Sequence, residues 1–120
     1  VSGLAGTWRV ERVGDAEVPA GAHLVVTFDG DGQVYGDAGV NRFRGTWHLD
    51  GDGLTLGPLV ATRRAGTPEA TGRETALLAA LVGTLRMTLR GGPDAVRLAG
   101  PAGEVDLVRT APADVATALV

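Results

Sequence analysis

Cysteine is absent from this 120-residue chain, which removes disulfide frameworks, thiolate nucleophiles and cysteine metal sites together. It also leaves the compartment open, since a cysteine-free domain folds on either side of a membrane. Lysine and isoleucine are missing as well. All 11 positive charges are arginine, and the aliphatic core must be built from valine, leucine and alanine. We read this as the codon usage of a GC-rich genome and not as arginine selected for phosphate recognition. Serine occurs once, at Ser2, so a Ser-His-Asp hydrolase with its nucleophile elbow is excluded. Aromatic residues reach only 4%. No apolar run approaches the roughly 18–20 residues that a membrane span requires. A positive excess is lacking too: the net charge of −3 and pI near 5.2 argue against a protein that binds nucleic acid by neutralising phosphates.

What is present describes one core-forming domain. Hydrophobic residues make up 44% and charged residues 21%, and 19 glycines announce many turns. The chain opens on Val1-Ser2-Gly3 with no initiator methionine and no signal core, which predicts an excised domain or a processed product. Thr7 to Glu11 alternates, placing Trp8 and Val10 on one face of a strand. His23 to Phe28 is a second strand, with Leu24, Val26 and Phe28 on a shared face. Asp29-Gly30-Asp31-Gly32 and Asp50-Gly51-Asp52-Gly53 read as hairpin turns, and two successive hairpins make a meander.

After Pro58 the pattern changes. Thr67-Pro68-Glu69 is a helix start, and Leu77, Leu78 and Leu81 form an apolar stripe that ends at Gly83. Gly72 is a weak point that sets the first turn apart from the main helix. Alternation returns in Leu85 to Arg90, which predicts buried Leu85, Met87 and Leu89, and two further short strands end near Val108. The expected architecture is α+β: a curled antiparallel sheet of about eight strands, a partial barrel, with one main helix inserted before the last three strands. The domain is expected to span 1–110, with 111–120 as a C-terminal tail.

Several candidate chemistries fall away on inspection. The Asp-Gly stretches lack the glutamate that completes an EF-type calcium loop. His23 and His48 lie on different strands, and although His48 and Asp50 share a face, no third metal ligand is nominated. The 14 acids fall mostly in turns, without the facing pair of a glycosidase. Gly36 to Asn41 has no P-loop lysine and opens no helix; it reads as a sharp strand entry in which Asn41 satisfies buried backbone groups. Arg42, Arg44, Arg63 and Arg64 form the single basic cluster. They read either as a solvated face balanced by acids or as a site for an anionic ligand or protein partner.

Three blocks resemble the META domain, or HslJ-like, family. Leu4-Ala5-Gly6-Thr7-Trp8 is similar to its first-strand Leu-x-Gly-x-Trp. Gly36 to Trp47 is similar to its Gly-x-x-Gly-Cys-Asn-x-x-x-Gly-x-aromatic run, with Gly36, Gly39, Asn41 and Gly45 in the matching places. Leu56 to Gly66 is similar to its Gly-x-Leu-x-x-Thr-[Arg/Lys]-Met-Ala-Cys segment, with Thr62 as the threonine. An acid and a leucine-rich helix follow, Glu74 to Leu81. Val40 and Gly66 stand where the family commonly has cysteine. Their joint loss implies that the two positions are neighbours in space, and it removes any redox role here. The resemblance implies a bacterial envelope or stress-related context and names no reaction. The expected function is therefore that of a non-catalytic binding or structural module, monomeric, without cofactor or metal and extracytoplasmic. The alternative is a small-ligand carrier that holds its ligand between sheet and helix.

Overall fold

The computed structural model describes residues 4–19, 22, 24–92 and 94–110. His23 and the tail 111–120, on which two of the expectations fall, lie outside them. Seven strands precede the helix: β1 (Gly6–Val13), β2 (Ala16–Glu17), β3 (Leu24–Phe28), β4 (Gln33–Ala38), β5 (Arg42–Asp50), β6 (Gly53–Leu56) and β7 (Val60–Ala61). Helix α1 (Pro68–Ala80) follows, then β8 (Gly83–Leu89), β9 (Ala95–Gly100) and β10 (Gly103–Arg109).

Every pairing is antiparallel, and the order β1-β3-β4-β5-β6-β8-β9-β10 returns to β1. The sheet is thus a closed eight-stranded barrel rather than a partial one. Closure removes the two open edges that a curled sheet would leave. It joins the two ends of the chain, pairing Trp8 with Arg109 and Val13 with Val105. No local pattern announces such a pairing. Strands β2 and β7 are two-residue additions to β1 and β5, too short to show alternation.

Inward-facing residues fill the barrel. Trp8, Leu24, Val26, Phe28, Val34, Phe43, Leu54, Leu98 and Leu107 all belong to one buried cluster. Each of the predicted faces of β1 and β3 points into it. Both Asp-Gly stretches are hairpin turns, and the Asp29 carboxylate accepts from the amides of Asp31 (2.9 Å) and Gln33 (2.8 Å).

The two ends of the barrel are closed differently. At one end α1 packs on β1, β4 and β10, inserting Leu77, Ala80 and Leu81. Thr67 caps it by accepting from the Ala70 amide at 3.1 Å, with Pro68 in the first turn. The helix runs unbroken through Gly72, whose exposed position adds only its propensity cost of about 1 kcal/mol. At the other end Trp8 donates its indole N–H to the Leu4 carbonyl at 2.7 Å, and the Arg109 guanidinium lies 4.3 Å above the ring. A Cβ at Gly6 would run into that guanidinium, which explains the small residue in Leu-x-Gly-x-Trp.

One core expectation fails. Leu89 is 57% exposed, and Met87 is only half-buried. Strand β6 pairs with β8 only over Gly83–Arg86 and the Met87 amide still reaches the Asp52 carbonyl (2.7 Å), so Thr88 and Leu89 extend past their neighbour and have β9 on one side alone.

Candidate functional site

The two glycine-rich blocks and the helix meet at Asn41. The tight turn between β4 and β5 is held by the Ala38 amide on the Asn41 carbonyl (2.8 Å) and the Gly39 amide on the Asp37 carboxylate (2.9 Å). Gly39 occupies its left-handed position at φ +104°. Gly36, opposite Phe43 in register, has no room for a side chain: a Cβ would collide with the Val25 carbonyl. Gly45 gives the same clearance to Leu59, which passes 2.7 Å from where its Cβ would stand.

Asn41 itself is buried and uses every side-chain hydrogen-bonding position it has. Its Oδ1 accepts from the Thr62 hydroxyl (2.9 Å) and the Arg64 amide (2.6 Å). Its Nδ2 donates to the Arg64 carbonyl (3.1 Å) and to Glu74 Oε2 (2.8 Å), while its own amide donates to Glu74 Oε1 (2.6 Å). Thr62 completes the junction by accepting from the Arg42 amide at 3.1 Å. Asn41 therefore acts as a short strand partner for Arg64, and Glu74 ties both loops to α1. The role of Glu74 is the residue-level feature that the motif reading missed. Its signal is a carboxylate on an apolar stripe: Glu74, Leu77, Leu78 and Leu81 recur at i, i+3, i+4 and i+7.

Val40 and Gly66 are neighbours, as the joint cysteine loss implied. A Cβ built on Gly66 would lie 3.4 Å from the Val40 Cβ and 2.5 Å from its Cγ2. Adding two Cα–Cβ bonds bounds the Cα separation at about 6.5 Å, inside disulfide range. The valine methyls occupy the volume that a second side chain would need.

Four of the candidate arginines flank this junction. Arg42 and Arg44 point outward from β5, and Arg63 and Arg64 are exposed on the segment that leaves β7. The expected balance by nearby acids does not appear. Arg9, Arg12, Arg86, Arg90, Arg97 and Arg109 each lie within 4.0 Å of a carboxylate. Arg42, Arg44, Arg63 and Arg64, like Arg73 on α1, have no such partner among the described residues. Asp37 faces Arg42 across the strands, yet its carboxylate turns back onto Gly39. Arg44 donates to the side-chain carbonyl of Gln33 at 3.2 Å.

Arg42 and Arg44 line an apolar groove of about 420 Å³ on the outside of the barrel, and Arg63 and Arg64 follow its last lining residue, Thr62, in the chain. Tyr35, Arg44 and Val60 form one cross-strand row of its floor, and Arg42 and Thr62 border the next. Tyr35 is 42% and Val60 70% exposed, so two of the four exposed large hydrophobic residues among the described residues sit on either side of Arg44.

Elsewhere the polar side chains serve the fold. Asp106 is buried and held by Arg97 through Nε (2.8 Å) and Nη2 (3.2 Å), with Arg90 at 3.7 Å. The Arg97 hydrogen bond keeps this carboxyl below the ordinary carboxylate range against the opposing effect of burial. His48 is exposed and forms no hydrogen bond or ion pair with Asp50. Among the described residues, no three His, Asp or Glu side chains converge as metal ligands. A separate crevice of about 400 Å³ lies between α1 and the β1–β2 corner, lined by Val13, Ala16, Pro19, Gly72 and Ala76. Among the described residues, no helix is long and apolar enough to cross a membrane.

Fold and junction together define a small closed β-barrel plugged by one helix, with its glycine-rich blocks gathered at a single buried asparagine. The chain belongs to the META domain family, whose model matches residues 2–112. It is similar to a protein from Burkholderia xenovorans solved by NMR, with 25% identity and a TM-score of 0.70 over 89% of this chain and 83% of that one. A second NMR structure is 18% identical with a TM-score of 0.71, over 90% of this chain and 94% of that one. That likeness speaks for the fold alone. No curated protein matches the chain.

Proposed function

We propose that this META domain is a non-catalytic binding module that docks a partner on the outer face of β4, β5 and β7. The observation that carries this reading is the apolar groove at Tyr35 and Val60, bordered by Arg42 and Arg44, which have no carboxylate partner among the described residues. Exposed apolar surface rimmed by unpaired charge is the usual composition of an interaction site. A catalytic role lacks candidate machinery, since cysteine is absent and Ser2 is the single serine. The family resemblance supports a bacterial, envelope-associated or stress-related setting outside the cytoplasm, with the domain acting as a monomer.

The carrier alternative draws on the crevice beside α1. It has less support, because the space between helix and barrel is filled by Leu77, Ala80, Leu81 and Leu85. A photo-crosslinking residue placed at Val60 tests the docking face, with Leu89 as the exposed apolar control. In the cells of origin, position 60 should yield a discrete adduct, identified by mass spectrometry, that disappears in the Arg44→Glu background. Equal labelling from positions 60 and 89 would refute the docking face.

A further inference from the structure

The groove has an open strand edge beside it, and this edge points to the form of the occupant. Strand β7 is bonded to β5 on one side through the Arg44–Val60 pair and the Thr62 amide on the Arg42 carbonyl (3.0 Å). Antiparallel alternation turns the N–H and C=O of Ala61, between them, to the opposite side. No strand pairs there among the described residues, because β8 follows β6 only over Gly53–Leu56 and the chain has left it before β7 begins. An apolar side chain, Val60, stands exposed along this two-residue edge, which Pro58 and the Arg63-Arg64 pair flank.

Resting on the docking face proposed above, we infer that the occupant is an acidic, extended segment of a partner protein, added alongside β7 as a further strand. Main-chain bonds to Ala61 would supply attachment, and the Val60–Tyr35 surface would take alternate apolar side chains. Carboxylates would meet Arg42, Arg44, Arg63 and Arg64, which have no carboxylate partner among the described residues. The same charges disfavour a second copy of this chain, since edge-to-edge pairing would set arginine against arginine. A deep small-ligand site is disfavoured by the groove's position on the exposed outer face, since such sites bury most of their ligand.

The probe is a blocked eight-residue peptide of alternating glutamate and valine, titrated into the ¹⁵N-labelled protein. Amide shifts should centre on Val60 to Arg64, and the Ala61 amide should gain protection from hydrogen exchange. Affinity should fall with added salt, and by about tenfold in Arg42→Glu/Arg44→Glu, while Arg73→Glu on α1 leaves it unchanged. A peptide of the same sequence with alternate backbone nitrogens methylated keeps its charge and should lose binding. Equal binding of the methylated peptide or of a lysine–valine peptide would overturn the inference. So would absence of binding at millimolar concentration, or tighter binding of oligothymidylate without protection of Ala61. None of these outcomes touches the crosslinking result at Val60, so the docking face and the nature of its occupant stand or fall separately.

Discussion

Asn41 and Glu74 show how much one buried polar pair can organise. Two donors of Asn41, its amide and its Nδ2, reach the two oxygens of Glu74. A glutamine at 74 offers one acceptor and one donor, so one of those bonds must become a donor–donor conflict. Glu74→Gln should therefore lower unfolding stability by about 1–3 kcal/mol in a denaturant titration, despite its near-identical shape. An unchanged midpoint would show that the junction does not rely on the carboxylate. The neighbouring pair at Val40 and Gly66 supports a second prediction. Gly66→Ala alone should destabilise, because its Cβ meets the Val40 methyls. Val40→Cys with Gly66→Cys removes those methyls and should oxidise in air, closing a loop whose chain-entropy gain is about 3–4 kcal/mol. Mass spectrometry and a melting curve with and without reductant would check it. The vicinity of these residues was legible from the motif. The Glu74 bond was not, because a helix carboxylate looks the same in sequence whether it faces water or a buried amide.

Among the elements, the helix was the most readable and the short strands the least. Thr67, Pro68 and the leucine stripe specify α1 locally, whereas β7 exists only because Asn41 and Thr62 hold its segment against β5. Leu81 follows the last helical turn and is 1% exposed, at the plugged end of the barrel. Leu81→Ala should cost about 2–5 kcal/mol through lost burial and the cavity left behind. A loss below about half a kcal/mol, measured by denaturant unfolding, would mean that the helix does not close the barrel through that side chain. Leu89 makes the complementary point. Its alternation marks it as core, but the neighbouring strand ends too early to cover it.

At the scale of the whole molecule, closure brings the first and last strands together, and Asp106 reports on that seam. Arg97 and Arg90 hold it on the β9–β10 face, and its carboxyl lies below the ordinary value of 3.8 in the folded state. Its contribution to stability is therefore complete above that value and is lost as pH falls through the depressed one. Asp106→Asn should be less stable than the parent at pH 7, with the gap narrowing as pH drops below 3.8. Parallel urea titrations at neutral and strongly acidic pH would detect it. A gap that stays constant would show that the ion pair adds nothing specific to the folded state.

Sequence alone determined the features that depend on neighbouring residues: the Asp-Gly turns, the alternation of β1 and β3, the helix cap and its stripe. It also carried the order of the glycine blocks, and with them the family. Only the tertiary structure decided closure of the barrel, the strand partner that Asn41 becomes for Arg64, and which arginines are left without an acid. Those outcomes depend on distant segments. Arg42 and Arg97 are the same residue type on alternating strands. Among the described residues Arg42 has no carboxylate partner, Asp37 being spent on its own turn, whereas Arg97 is paired because β10 brings Asp106 across from it.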